Sequence, residues 1–298
     1  MKLVTYQLEN HPPRPGALTE GRIVDLRPAF PSVLAIVEGG EAALGRCREL
    51  MAKGDFIAKS DVRLLAPIPH PPQMRDFLCF EQHLVQAFAA VAKLRGTEAR
   101  IPKAWYERPI FYHPNRFSVC GPEADVPWPR YSDLLDFELE FGCYIGKPGK
   151  DIAPERAREH IFGYTIFNDF SARDEQTKEM AGQLGPGKGK DFDNANAMGP
   201  CLVTADEIGD PYRLDMVARV NGEEWGRGNS RDMRWKFEDC IAHASRSETL
   251  HAGEFFGSGT VGNGCGLEQL RFLKPGDVVE LEVEGIGVLR NRVIRSLS

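Results

Sequence analysis

The stretch LLDFELEFG, residues 134–142, alternates apolar side chains with carboxylates. If it forms a β-strand, Asp136, Glu138 and Glu140 project from one face, because successive side chains of a strand point to opposite faces. Asp169 follows at the end of the next predicted strand. Two neighbouring carboxylates on one strand and a third from an adjacent strand end would suit a hard, oxygen-preferring cation such as Mg²⁺ or Ca²⁺.

Residues 279–284, VELEVE, alternate in the same way and represent the ordinary alternative. An antiparallel strand with one face on the core and the other in water has this pattern without any function. The alternation therefore leaves open whether the acids are solvated or bind an ion. We expect Asp136 to be solvated or to lie behind the ligands, because same-face residues of a strand are about 7 Å apart at each step.

The first 68 residues are predicted to form a small α+β unit. Its expected elements are strands at 2–8, 22–27 and 61–68 and a helical segment at 31–53 that is interrupted by two glycines. The proline-rich run PIPHPP follows at 67–72, and prolines lack an amide donor and favour extended chain. This predicts a domain boundary, with an amino-terminal domain at 1–68 and a second domain at 69–298.

The second domain is predicted to mix strands with few helices. Apolar residues recur with helical spacing at 83–94, and Pro154 is suited to open a short helix. Further expected elements are an ordered loop region at 101–133 and a helix near 236–247. Strands are expected at 134–142, in a segment that ends at residue 168, and at 200–204, 214–220 and 278–293. Because no βαβ repeat is present, we expect an α+β fold whose mixed, mainly antiparallel sheet curls into a roll or sandwich.

Charge and hydropathy exclude several classes of partner. The net charge is −6 and the pI about 5.7, and no run of Lys and Arg is interleaved with aromatics, so no nucleic acid is expected. No segment approaches the roughly 20 apolar residues of a membrane span, and the amino terminus turns polar early, so we expect no membrane partner and a cytoplasmic location. The seven cysteines form no C-x-x-C pair, which predicts reduced thiols.

Three segments stand out together, namely the run at 134–145, the run HIFG that is followed by NDFSARDEQ within 160–176, and the Ser-Gly-Thr at 258–260. These segments resemble the fumarylacetoacetate hydrolase family. The resemblance extends over residues 75 to 295, and the combination of E-x-E, ND-x-SARD-x-Q and G-T at these separations is specific. It implies the family's catalytic domain and a homodimer.

The resemblance also implies a metal site. The family's ligands are the two glutamates of E-x-E and the aspartate of the ND pair, here Glu138, Glu140 and Asp169. The segment DFLCFEQH at 76–83 matches one that supplies a fourth aspartate, Asp76, and a general base, His83. Mg²⁺ is the expected cation, with Mn²⁺ or Ca²⁺ as alternatives.

The histidine base of such enzymes is oriented by a glutamate. The resemblance implies Glu268, which follows the G-T loop, for this role. A variant of the family uses a glutamate three residues after the histidine, but that position is Gln86 here. Both His83 and Glu268 have ordinary alternatives, since a histidine near a helix start can cap or pack and a glutamate near a strand can be solvated.

The resemblance further indicates groups that bind or polarise substrate oxygens. These are Arg173, Gln176, Lys190 and Thr260, and also Tyr112 in the YHPNR loop. Lys190 would offset negative charge that develops on oxygen, although a mobile surface lysine is the ordinary alternative in its glycine-rich loop. For Arg173 the alternative is a structural ion pair with Asp174.

Together these features predict a metal-dependent hydrolase that cleaves a C–C bond in a β-diketo acid or acylpyruvate-like substrate. A histidine-activated water would attack, and the leaving enolate would be stabilised by the metal. Other family chemistries also use a metal-stabilised enolate, so a decarboxylase, a 2-keto-3-deoxy sugar acid dehydratase or an isomerase remains the alternative. A metal-binding protein without turnover is the third possibility.

Overall fold

The computed structural model describes residues 1–54, 56–96 and 98–295. It is a mixed α+β structure with 28% helix and 34% strand and mostly antiparallel sheets, which confirms the predicted fold class. Within these residues, no helix is long and apolar enough to cross a membrane.

The first part of the chain, up to residue 128, contains the amino-terminal strands and the first elements that carry candidate site residues. They comprise β1 (Lys2–Gln7), β2 (Arg14–Thr19), β3 (Arg22–Asp25), α1 (Val33–Lys53), β4 (Phe56–Ala58), β5 (Arg63–Leu65), β6 (Met74–Phe77), α2 (Glu81–Arg95), α3 (Lys103–Glu107), β7 (Phe111–Tyr112), β8 (Val119–Cys120) and β9 (Asp125–Trp128). The predicted interruption of the first helix is present, because Gly40 leaves helical geometry with a φ of 55°.

The remaining elements are strands of different lengths with short helices between some of them. They comprise β10 (Leu135–Asp136), β11 (Leu139–Ile145), α4 (Pro154–Ala157), β12 (Ile161–Asp169), β13 (Ser171–Ala172), α5 (Arg173–Ala181), β14 (Asn196–Thr204), α6 (Ala205–Ile208), β15 (Asp215–Val220), β16 (Glu223–Asn229), α7 (Phe237–Ala244), β17 (Phe255–Gly257), β18 (Val278–Val283) and β19 (Gly287–Arg295). Pro154 occupies the first turn of α4, where its missing amide donor costs no hydrogen bond.

The strands form one large sheet and two smaller ones. Among the described residues, twelve strands join the large sheet, whose main path is β4-β3-β2-β1-β14-β12-β11-β17-β6-β7. A five-stranded sheet has the order β16-β15-β18-β19-β9, and β10 pairs with β13 alone. Most pairings are antiparallel, while β6 with β17, β8 with β14 and β9 with β19 are parallel.

The strand predicted at 134–142 is divided in two. Leu135 and Asp136 pair with β13, whereas the chain from Leu139 onward pairs with β12 and β17 in the large sheet. Glu138 lies at the transition and forms an isolated bridge with Cys265. The alternating pattern did not predict this break, because the pattern continues unchanged through a change of pairing partner.

The large sheet crosses the predicted domain boundary at residue 68. Strand β1 pairs with β14 of the second part, and Val4 and Tyr6 pack in the same hydrophobic cluster as Leu139 and Phe141. The amino-terminal strands therefore extend the sheet that carries the candidate site. The division into two domains stays a prediction.

A buried ion network holds β6 from the face opposite the candidate site. Arg75 is 1% exposed and its guanidinium binds the carboxylates of Glu254 and Glu248. Glu254 is also buried, and the guanidinium lies 5.4 Å from the centre of the Phe256 ring. Arg75 immediately precedes Asp76 in the sequence, so this network fixes the strand that carries a candidate ligand.

The substitution Arg75→Met is expected to lower the free energy of unfolding by about 3–5 kcal/mol, because it leaves the buried Glu254 carboxylate without its cation. Urea unfolding measures this loss. The matched control is Arg46→Met, which breaks an exposed pair with Glu49 and is expected to cost less than about 1 kcal/mol. Equal unfolding midpoints for the two variants would contradict the role given to Arg75.

Candidate metal and acid–base site

Neighbouring strands bring three carboxylates together on the large sheet. Asp76 lies on β6, Glu140 on β11 and Asp169 at the end of β12. Strand β17 joins β6 to β11, and β11 pairs with β12, so side chains on one face of these strands converge. Each of the three residues offers a carboxylate oxygen within 4.8 Å of the others.

These carboxylates fit a divalent cation. Both oxygens of Glu140 and Oδ1 of Asp169 are buried and accept no hydrogen bond within the described part of the chain. Buried acceptors without a partner are costly, and hard cations such as Mg²⁺ and Mn²⁺ bind carboxylate oxygens. Asp76, Glu140 and Asp169 therefore form a set that would hold such an ion.

The electrostatics of this set also favour a cation. Burial raises the pKa of Asp76 well above its ordinary value, and the Asp169 carboxylate raises it further. Burial likewise raises the pKa of Glu140, with Asp76 adding to the shift. The pKa of Asp169 is raised by burial as well, although Lys190 opposes the shift. A bound cation would relieve the repulsion behind these shifts.

Glu138 is adjacent to this set but is already paired. Arg173 Nη1 lies 2.7 Å from its Oε1, and the Lys190 ammonium binds its Oε2. Burial would raise the pKa of Glu138, but Lys190 and Arg173 outweigh burial and lower it to about 2. Glu138 is therefore ionised and held by two cations, and its role as a metal ligand stays a prediction.

The acids of the opening stretch do not face water. Asp136 and Glu140 are 0% exposed and Glu138 is 5% exposed. The control strand differs, since the Glu280 and Glu282 side chains are 29% and 43% exposed. The solvated-strand alternative is therefore wrong for residues 134–142, whose polar face is covered by other segments of the chain.

A buried histidine and glutamate lie beside the carboxylates. His83, in the first turn of α2, has Nδ1 2.8 Å from Oε1 of Glu268, and both side chains are buried. Because a carboxylate only accepts, the imidazole donates from Nδ1 and Nε2 is left as a proton acceptor. Gln86 instead forms two hydrogen bonds with Asn263. His83 lies close enough to Glu138 to influence the pKa of that carboxyl.

Lys190 and Tyr112 converge on Asp169. The Lys190 ammonium is 2.6 Å from Oδ2 of Asp169, and the Tyr112 hydroxyl donates to the same oxygen at 2.7 Å. Burial would lower the pKa of Lys190, but Asp169 and Glu138 raise it. The mobile surface lysine considered from the sequence is therefore wrong, since Lys190 is 5% exposed.

The other two predicted oxygen-binding residues lie at the edges of this arrangement. Gln176 accepts a hydrogen bond from Arg173 Nη1 at 3.0 Å. Thr260 is buried in the loop after β17, next to Gly259, whose amide donates to Asp76 Oδ1 at 3.2 Å. The structure thus brings all the predicted site residues into one region, and their substrate contacts stay predictions.

The sequence did not predict which residue is the main partner of Arg173. The alternative ion pair with Asp174 does not form, because Asp174 accepts hydrogen bonds from the Ser132 hydroxyl and the Asp133 amide. Arg173 Nε instead donates to Asp136 Oδ2 at 2.8 Å. Asp136 is therefore a buried partner of Arg173, and its position two residues before Glu138 was the only signal that the sequence offered.

A glycine on β17 creates room for Asp76. A Cβ added at Gly257 would lie 2.3 Å from Oδ1 of Asp76 and 3.3 Å from the Phe167 ring. Gly257 pairs with both Asp76 and Gly142 across the sheet. The absence of a side chain here lets the carboxylate lie over the strand.

Known proteins are similar to this chain over most of its length. The sequence model of the fumarylacetoacetate (FAA) hydrolase C-terminal domain matches residues 73–294. The chain belongs to the fumarylacetoacetate hydrolase family. A family member from Xenopus laevis, the mitochondrial oxaloacetate tautomerase fahd2, is 35% identical in an alignment of 303 positions. The alignment covers 99% of this chain and 90% of the relative.

Two solved structures share the fold of this family member. The fumarylacetoacetate hydrolase of Exiguobacterium antarcticum has a TM-score of 0.81 and 27% identity, covering 99% of this chain and 100% of that chain. A maleylpyruvate hydrolase of Sphingobium sp. SYK-6, solved with manganese(II) and pyruvate, has a TM-score of 0.79 and 21% identity, covering 100% of both chains. The second likeness shows the fold alone.

Metal affinity is expected to increase with pH. The pKa values of Asp76 and Glu140 are raised, so protons compete with the cation until the pH exceeds those values, and binding releases protons. Calorimetric titration with Mn²⁺ in buffers of different ionisation enthalpy measures the release. Glu280→Gln, on the solvated strand, serves as the control and should behave as wild type. A binding heat independent of the buffer would contradict this prediction.

The substitution Gly257→Ala is expected to weaken Mn²⁺ binding by about tenfold or more, as loss of a group supporting a ligand usually does, because the methyl group displaces the Asp76 carboxylate. The control is Gly45→Ala on α1, where an added Cβ meets nothing within 4 Å. Calorimetric titration measures the affinity and circular dichroism the fold. Wild-type affinity in folded Gly257→Ala would remove Asp76 from the ligand set.

Proposed function

We propose that this family member is a metal-dependent enzyme that transfers a proton at the carbon next to the carbonyl of a short 2-oxo acid, with oxaloacetate keto–enol tautomerisation as the first candidate reaction. Two observations carry the proposal: the buried His83–Glu268 pair near Glu138, and the oxygens of Glu140 and Asp169 that lack a partner among the described residues. A proton acceptor and a cation site are the two parts that enolisation requires.

The residues have separate tasks in this proposal. Asp76, Glu140 and Asp169 would hold a divalent cation, which would supply a Lewis acid that polarises the substrate carbonyl. Glu268 holds the His83 imidazole so that Nε2 would take the proton from the carbon next to the ketone and return it to the ketone oxygen, which gives the enol. Lys190 and Arg173, both buried cations, offset negative charge on the substrate oxygens.

The substrate class follows from charge and from relatives. A divalent cation near a proton acceptor favours a small acid that can bind the cation through its oxygens and be enolised. The Xenopus relative, an oxaloacetate tautomerase by name, aligns over 99% of this chain. Oxaloacetate contains a 2-oxo acid and a second carboxylate, which provide oxygens for both the cation and the buried ammonium.

Hydrolysis of an acylpyruvate is the second candidate. The observation that favours it is the carboxylate-oriented His83, since an oriented imidazole can also deprotonate a water molecule. The Exiguobacterium structure, a fumarylacetoacetate hydrolase by name, is 27% identical to this chain. Hydrolysis differs from tautomerisation in requiring a water molecule next to His83, so products distinguish the two reactions.

We propose Mg²⁺ as the native cation, with Mn²⁺ as a substitute. We also propose that the protein is a homodimer that binds neither nucleic acid nor membrane. The cytoplasmic location also remains part of the proposal. It must be tested directly, because the Xenopus relative is described as mitochondrial.

Assays with Mg²⁺ and with Mn²⁺ test the two reactions side by side. Decay of the enol absorbance of oxaloacetate reports tautomerisation, and pyruvate release from acetylpyruvate reports C–C hydrolysis. We expect acceleration of the first reaction that is lost on chelation of the metal. If neither reaction is accelerated while Mn²⁺ binds, the proposal is wrong and a binding function is favoured.

The substitution His83→Gln is expected to reduce kcat by about 10²–10⁴-fold, because the general base is removed, while Mn²⁺ affinity stays near that of wild type. The control is His70→Gln, an exposed histidine outside the site, which should retain full activity. An unchanged kcat in His83→Gln would exclude His83 as the proton acceptor.

A further inference from the structure

Asp136 connects two parts of the candidate site. Its carboxylate is completely buried. Oδ2 accepts hydrogen bonds from Arg173 Nε at 2.8 Å and from the Leu267 amide at 2.9 Å. Oδ1 accepts from the Gly266 amide at 2.8 Å and from the Phe137 amide at 2.9 Å. The Asp136 carboxylate thus accepts four hydrogen bonds, one from Arg173 and three from backbone amides.

On one side, Asp136 orients a guanidinium. Arg173 Nη2 also lies 2.7 Å from Oδ2 of Asp136, but of these two nitrogens only Nε forms a hydrogen bond with that oxygen. Nη1 is thereby directed to Glu138 Oε1 at 2.7 Å and to Gln176 Oε1 at 3.0 Å. Because the guanidinium is planar and rigid, contacts of Nε with Asp136 and of Nη1 with Glu138 and Gln176 fix its orientation as well as its position.

On the other side, Asp136 holds the turn that carries Glu268. The amides of Gly266 and Leu267 open the 3₁₀ turn Leu267–Gln269, and both donate to Asp136. Glu268 then reaches His83 Nδ1 through Oε1, while its Oε2 accepts from the Cys265 amide at 3.3 Å. The position of the imidazole therefore depends on a turn that Asp136 anchors.

The close approach at Gly266 is a second, independent feature of this anchor. A Cβ added there would lie 2.7 Å from Asp136 Oδ1 and 1.9 Å from the Arg271 backbone oxygen. Any larger residue would push the turn away from the carboxylate. Glycine at this position thus permits the contact that Asp136 makes.

We infer that Asp136 is a positioning residue that sets the distance between the His83–Glu268 pair and the charged groups around Glu138. It acts through the Gly266 and Leu267 amides on one side and through Arg173 on the other. The inference rests on the proposed function and deepens it, since it states how the proton acceptor is held in register with the substrate-binding cations. Asp136 itself contacts neither the base nor the carboxylates of the metal set.

The substitution Asp136→Asn tests this role. The amide keeps one oxygen but presents an NH₂ group to donors on the other side, so it cannot serve both the turn and Arg173. We expect kcat to fall about 10–100-fold, the range seen when a supporting group is lost, with KM and Mn²⁺ affinity within a few fold of wild type. Asp277→Asn, whose carboxylate likewise accepts a backbone amide but lies far from the site, should leave kcat unchanged.

A double variant separates positioning from general stabilisation. If Asp136 acts through Glu268, the loss in Asp136→Asn/Glu268→Gln should not exceed that in Glu268→Gln by more than a few fold, because coupled residues are non-additive. Losses that multiply would overturn the inference. So would a change confined to KM.

Spectra of ¹⁵N-histidine-labelled protein make the test independent of turnover. The His83 signal, identified by its absence in His83→Gln, should shift in Asp136→Asn as it does in Glu268→Gln, and stay in place in Asp277→Asn. An unmoved signal in folded Asp136→Asn overturns the inference even if the enzyme is active. If wild type turns over neither substrate, the proposed function fails while the spectra still decide the role of Asp136.

A second variant covers the case in which Asp136→Asn does not fold. Asp136→Glu keeps the negative charge that buried Arg173 requires, but moves the carboxylate by one methylene. We expect it to shift the same His83 signal and to lower kcat. A wild-type spectrum and a wild-type kcat in Asp136→Glu would overturn the inference.

Discussion

The burial of like charges is the constraint on which the rest of this structure depends. Five carboxylates are buried in one region, namely Asp76, Asp136, Glu138, Glu140 and Asp169. Removing each from water costs several kcal/mol unless it is compensated. Arg173 compensates Asp136 and Glu138, and Lys190 compensates Glu138 and Asp169. Within the described residues, Asp76 and Glu140 form no ion pair with a cationic side chain, and a metal ion would compensate their charge.

The sheet makes this concentration of charge possible. Antiparallel and parallel neighbours hold β6, β17, β11 and β12 at fixed spacing, so the carboxylates converge without any loop having to carry them. Gly257 leaves space above β17, and the buried Arg75 network holds β6 from behind. Carboxylates held on strands, as Asp76, Glu140 and Asp169 are, are positioned more rigidly than carboxylates on loops.

Much of the fold and of the candidate site could be predicted, for physical reasons that differ between residues. Helix α1, with its break at the glycines, and the strands β1, β3 and β5 follow from local preference and period, whereas β2 and β4 were not predicted. The residues of the site were found because the resemblance connects segments that are distant in the chain. Asp136 was expected to be solvated or to lie behind the ligands, but its bonds with Arg173 and Gly266 were not predicted, because these contacts exist only after folding. The same holds for the close approach of Asp76 to Gly257.

The two alternating stretches show where the information lies. In both, the sequence by itself determined that the acids share one face, because the two-residue period of a strand is a local property of the backbone. Tertiary structure alone decided that the acids at 134–142 are buried among cations while those at 279–284 meet water. Whether a face is covered depends on which distant segments pack against it, and those segments are selected by the whole chain and not by the strand.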